Sequence, residues 1–75
     1  MLNVNKADRM IEALEIMASD NYYPIEDNPK YEKLCDMVED AGFNDVSYVD
    51  KYEFVELYNS LKKAIENYWF FRAII

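Results

Sequence analysis

From Asp50 to Ile75 the chain contains neither Gly nor Pro, and across that stretch Phe54, Leu57, Leu61, Ala64, Ile65, Tyr68, Phe71 and Ile75 recur at helical spacing. No other feature limits the fold as strongly. A run with nothing to interrupt it predicts one helix over 51–75, which at 1.5 Å per residue is about 37 Å long. Asp50 and Glu53 form a D-x-x-E variant of the capping box at its start. The whole chain of 75 residues holds one Gly and two Pro, so few turns are obligatory and long helices are favoured over many short strands.

Two shorter helices precede it. The first is expected from Lys6 to Ser19, capped by Asn5 with Asp8 near its positive end. Ala7, Met10, Ile11, Leu14, Met17 and Ala18 form its apolar stripe, and Ile16 falls on the charged face beside Arg9 and Glu12. "SDNYYPIEDNP" shows no periodicity and ends on Asn28-Pro29, a cap followed by Pro at the first helical position. The second helix is expected over Pro29–Ala41, with Gly42 as the left-handed residue after its end and Phe43 folding back onto Val38. Tyr31, Leu34, Cys35, Val38 and Ala41 share one face. Glu32, Asp36, Glu39 and Asp40 occupy an arc of about 100° on one flank.

"FNDVSYVD" at 43–50 is read as a turn, since a lone strand there would have only "LNV" at the start of the chain as a partner. These readings add up to a single all-α domain over 1–75, a small bundle of three principal helices with room for a short fourth helical turn around 44–49. An apolar fraction of 52 % argues for a folded core despite the charge.

The net charge of −7 is unevenly placed: residues 20–56 carry 11 acids against 3 bases, whereas residues 57–75 carry a net +2. An acidic middle is repelled by nucleic acid and anionic membrane and attracted to basic protein surfaces. The lone Cys35 excludes an internal disulfide, and the absence of His removes the usual zinc ligand sets and any Cys/His or Ser/His catalytic pair. Cys35 falls on the apolar face and reads as a small core residue. "SDNYYPIEDNPKYE" lacks the Asp spacing and central Gly of a calcium loop, and Gly42 alone makes no phosphate-binding loop. The carboxylates lie on expected solvent faces, not in a sheltered pair. The expectation is therefore a protein that is not an enzyme, with no cofactor and no metal. "MLNVNKADR" lacks the layout of a signal peptide, and no apolar stretch approaches the ~20 residues of a membrane span, so a cytoplasmic setting is expected.

What remains is recognition. Tyr offers contact area with little rotamer entropy to lose, and surrounding carboxylates select Arg and Lys on a partner. Asp20, Tyr22, Tyr23, Glu26, Asp27, Glu32, Asp36, Glu39 and Asp40 are the candidate partner-binding residues. Carboxylates at i and i+4 stand ~6 Å apart along a helix, which permits partial mimicry of a DNA backbone. "DNYYP" at 20–24 is similar to the Tyr-Tyr-Pro motif of the nuclease-colicin immunity proteins, small acidic helical inhibitors that bind basic enzymes through acids and tyrosines. The likeness spans five residues, and here the motif follows one helix where that family has two, so it assigns no membership. Size, acidity and helix content also resemble acyl carrier proteins, but Ser19, Ser47 and Ser60 do not follow an Asp, as the family's phosphopantetheine-bearing Ser does. In composition the chain resembles phage and mobile-element products, including anti-CRISPR and anti-restriction proteins.

The leading expectation is a small acidic inhibitor or adaptor of a basic, nucleic-acid-handling protein, with no direct contact to nucleic acid or membrane. The alternative is a structural or assembly protein. "NYWFFRAII" at 67–75 motivates it, because Phe70 and Ile74 lie one turn apart opposite the core stripe, with Trp69 at the stripe's edge. Trp69, Phe70 and Ile74 are thus candidate self-association residues for a homodimer, unless "MLNV" wraps across them.

Overall fold

The computed structural model describes the backbone of residues 1–74 and the side chains of residues 1–68. Three helices, α1 (Val4–Asp20), α2 (Pro29–Phe43) and α3 (Lys51–Ile74), pack as a small all-α bundle measuring 46 × 18 × 18 Å. The longest element is α3, which outruns α2 by nine residues, about 13 Å at 1.5 Å per residue. Phe54, Leu61 and Ile65 of α3 are fully buried against Leu14 of α1 and Leu34 of α2, with Ala7, Ile11 and Ala18 closing the core. Within the described residues the stripes read from the sequence are the ones that pack, with Met10, Met17 and Leu57 at the core's edge, and Phe71 and Ile75 lie outside the described side chains. Ile16 is exposed on the charged face.

The start of α3 follows the expected cap: Asp50 Oδ1 accepts from the Glu53 amide at 2.9 Å. Asn28 caps α2 as expected, its Oδ1 accepting from the Lys30 amide at 2.9 Å with Pro29 at the first position. At α1 the expectation is two residues late. Asn3, not Asn5, is the cap, with its Oδ1 accepting from the Asn5 amide at 2.8 Å.

The segment 44–49 is corrected more fully. It is not a helical turn: Tyr48–Val49 (β2) pairs antiparallel with Leu2–Asn3 (β1), with Leu2 opposite Val49 and Asn3 opposite Tyr48. The Val4 amide adds a bond to the Ser47 carbonyl at 2.8 Å. Side chains alternate across a strand, so the register turns Leu2 and Val49 together into the core, and both are buried. Burying the two contributes about 1.5–3 kcal/mol each, which a two-residue ladder alone would not supply. The short extra turn lies instead at Ile25–Asp27, a 3-10 turn that buries Ile25. Because β1 is held beside the start of α3, "MLNV" does not reach the far end of that helix, where Phe70 lies about 28 Å along the axis from Lys51.

The end of α2 differs too. Gly42 is helical, and the left-handed residue is Asp45, φ 57°. The Asp45 amide bonds the Gly42 carbonyl and the Val46 amide bonds the Ala41 carbonyl, the paired bonds of a Schellman motif. Phe43 therefore stays on the helix and does not fold back onto Val38; it is 91 % exposed. Tyr22, φ 56°, holds the same place after α1, with the Tyr22 amide bonded to the Ser19 carbonyl and the Tyr23 amide to the Ala18 carbonyl. Among the described residues no helix is long and apolar enough to cross a membrane.

Candidate functional site

Two hydrogen bonds fix how α2 is turned. On one flank the Tyr31 hydroxyl donates to Glu15 Oε2 of α1 at 2.5 Å, and on the other Lys30 Nζ donates to Ser60 Oγ of α3 at 2.6 Å. Between them Leu34 drops into the core. The face left over is the one opposite Leu34, and it carries Glu32, Asp36, Glu39 and Asp40, all exposed. At about 100° per residue Phe43 falls inside the same arc, between Asp36 and Glu39 on the wheel. The sequence reading missed it because it ended the helix at Ala41. Two more residues of helix turn Phe43 from a folded-back contact into the apolar centre of an acidic face.

This face is arranged against the helix's own stability. Glu32 in the first turn favours the positive helix end, but no base stands in the last turn, where Asp40 opposes the negative end. Glu32 with Asp36, and Asp36 with Asp40, are like charges at i and i+4, each pair costing about 0.2–0.5 kcal/mol. Nothing in the packing of α2 requires these acids.

The loop residues divide into two kinds. Asp20, Tyr22, Glu26 and Asp27 are exposed, Tyr22 to 79 %. Tyr23 instead serves the fold: its ring meets Tyr68 edge-on at 5.2 Å and 79°, and its hydroxyl accepts from Asn28 Nδ2 at 2.8 Å. Asn28 thus caps α2 with its oxygen and anchors Tyr23 with its nitrogen. The loop sits at the N-terminal end of α2 and Phe43 at the other, so the candidate residues are joined along the length of that helix and not as one spot.

Tyr31 is held protonated well above the usual tyrosine range, first by its bond to Glu15 and then by burial. Burial likewise raises the Cys35 thiol, which is half-buried and therefore a poor nucleophile at neutral pH. Among the described residues no group of three or more potential ligands could hold a metal ion. The side chains of Trp69, Phe70 and Ile74 lie outside the described residues. Comparison with protein-family models, curated proteins and solved structures gives no match to this chain.

Proposed function

We propose that the protein is a small non-enzymatic acidic binder that inhibits or adapts a basic, nucleic-acid-handling protein in a cytoplasmic setting. One observation carries the reading: the outward face of α2 keeps Glu32, Asp36, Glu39 and Asp40 exposed around Phe43, at a cost to the helix and with no role in its packing. Clustered carboxylates speed encounter with a basic surface and exclude acidic ones, and an exposed aromatic supplies the contact that charge alone does not. The rise of ~6 Å over four helical residues lets such a face stand in part for a phosphate backbone. The exposed loop acids Asp20, Glu26 and Asp27, with Tyr22, extend it at one end.

The test is affinity capture from its host cell with the intact chain and with a variant carrying Glu32→Gln, Asp36→Asn, Glu39→Gln and Asp40→Asn. Proteins retained by the first and lost by the second should be basic, should elute as salt rises, and should be competed off by DNA or RNA. Identical captures by both baits would remove the reading.

A second reading, assembly through the C-terminal part of α3, is favoured by the position of β1. With β1 committed beside Val49, "MLNV" is held near the start of α3. Molar mass by light scattering across concentration decides it: a dimer that Phe70→Glu with Ile74→Lys converts to a folded monomer supports assembly, and a monomer in both cases removes it.

A further inference from the structure

Where β2 meets the end of α2 the surface forms a shallow, open groove of about 200 Å³. Met37, Ala41, Val46 and Val49 give it apolar walls, with Asn44 and the half-exposed Tyr48 beside them. Asp40 and Asp50 also line it, and both are exposed. Asp50 uses Oδ1 to cap α3, and Asp40 stands in the last turn of α2 without a basic neighbour there. Between residues 34 and 50 the chain has no Lys or Arg at all. Lys51, the next base, lines a different cavity with Tyr52, Val55 and Glu56. The groove thus joins a greasy floor, an aromatic ring and two carboxylates, with no cation of its own.

We infer that this groove receives the side chain of an arginine projecting from the basic partner, an assignment that rests on the function proposed above. The match is one of charge and of apolar and aromatic lining. An arginine stem packs on apolar surface while its head stays with polar groups, so Met37 and Val46 take the methylenes. The planar guanidinium suits carboxylates and aromatic rings, and Asp40, Asp50 and Tyr48 all line the groove. Lysine, a compact and strongly hydrated charge, gains less from the ring and cannot bridge two carboxylates as a fork. Phe43, one turn beyond Asp40 on the outward side, then packs against the partner beside the entering arginine.

The test is a titration of the isotopically labelled protein, followed by amide NMR at low ionic strength, with N-acetyl-arginine amide as the probe. Saturable shifts should appear at Met37, Asp40, Val46, Tyr48 and Asp50. N-acetyl-citrulline amide, its neutral isostere, should shift them little. Asp40→Asn, an exposed change that leaves the α3 cap intact, should weaken arginine binding by about threefold to fivefold. Equal response to citrulline, or to N-acetyl-lysine amide, would overturn the arginine assignment, as would shifts that depend on protein concentration without probe. A hexa-arginine peptide separates this inference from the function beneath it. If it binds along Glu32, Asp36 and Glu39 while the groove stays unmoved, the arginine slot is wrong and the acidic surface stands. If it does not bind, both fall.

Discussion

Tyr22 and Asp45 occupy the same position in two copies of one motif: each is the left-handed residue that closes a helix, at φ 56° and 57°. Gly is the residue usually found there, because any Cβ is crowded in that conformation. The chain's single Gly lies three residues before Asp45, inside α2. Both positions are exposed, so core packing does not dictate their side chains.

Gly42→Ala should therefore stabilise the protein by about 0.5–1 kcal/mol, since the position is helical and an added Cβ meets nothing within 4 Å. Asp45→Gly should stabilise by a similar amount of about 0.5–1 kcal/mol by relieving the left-handed backbone. Each is expected to raise the melting temperature by roughly 2–8 °C for a domain of this size. Thermal unfolding of the two single variants checks this. The sign is decisive: were Gly42 the left-handed residue, alanine there would destabilise.

The ends of the helices show where the sequence was legible and where it was not. Asn28-Pro29 and Asp50 with Glu53 could be read because each signal is local: a side-chain oxygen, a fixed φ and a reachable amide. The end of α2 could not, because Gly tolerates the helix as well as the left-handed region, and only the whole set of bonds decides which residue turns. The same error hid Phe43. A strand near Val49 has only "LNV" as a partner, which in the sequence alone favours a turn; in the structure burial of Leu2 and Val49 supplies what a two-residue ladder lacks. The exposed acids of α2 followed from the helical wheel, whereas the groove beside Met37 and Tyr48 did not, since it exists only once β2 is placed. The β-branched and aromatic residues Val46, Tyr48 and Val49 were the available hint of a strand there.

The β1–β2 contact should be worth more than its two-residue length implies. Leu2→Ala is expected to cost about 2 kcal/mol or more, as for other buried Leu truncations. Asn3→Ala should cost about 1 kcal/mol through loss of the α1 cap. Urea unfolding of the single variants measures both. Amide exchange in Leu2→Ala should accelerate at Val49 and Val4 well before it does in α3, because the strand opens locally.

Tyr31 predicts an alkaline limit to stability. Its folded pKa is raised above the unfolded value near 10 by the bond to Glu15. Above about pH 10 the unfolded chain releases the proton while the folded one keeps it, so the unfolded state binds fewer protons and stability falls as pH rises. The contribution is whole below pH ~10 and is lost on the way up to the folded pKa. Tyr31→Phe should lower stability at neutral pH by about 0.5–1 kcal/mol, the range for an exposed hydrogen bond, and should flatten the decline above about pH 10. Unfolding curves from pH 7 to about 11 on both proteins test the sign and the window.

The acids of α2 should behave as a burden that salt relieves. Replacing Asp36 by Asn removes its repulsion with Glu32, Glu39 and Asp40 and its attraction to Lys33, a balance of about two repulsive pairs that at low ionic strength should stabilise the protein by about 0.4–1 kcal/mol. The gain should fade as salt approaches about 1 M, where the screening length falls to ~3 Å. Denaturation of wild type and Asp36→Asn at both salt concentrations measures it. If Asp36→Asn is more stable at low salt and also retains captured partner less well, the same carboxylate weakens the fold and strengthens binding. A merely solvated acid would show the first effect without the second. A gain that salt leaves untouched would mean that repulsion along α2 is not what the substitution relieves, and the cost invoked for the acidic face would lose its basis.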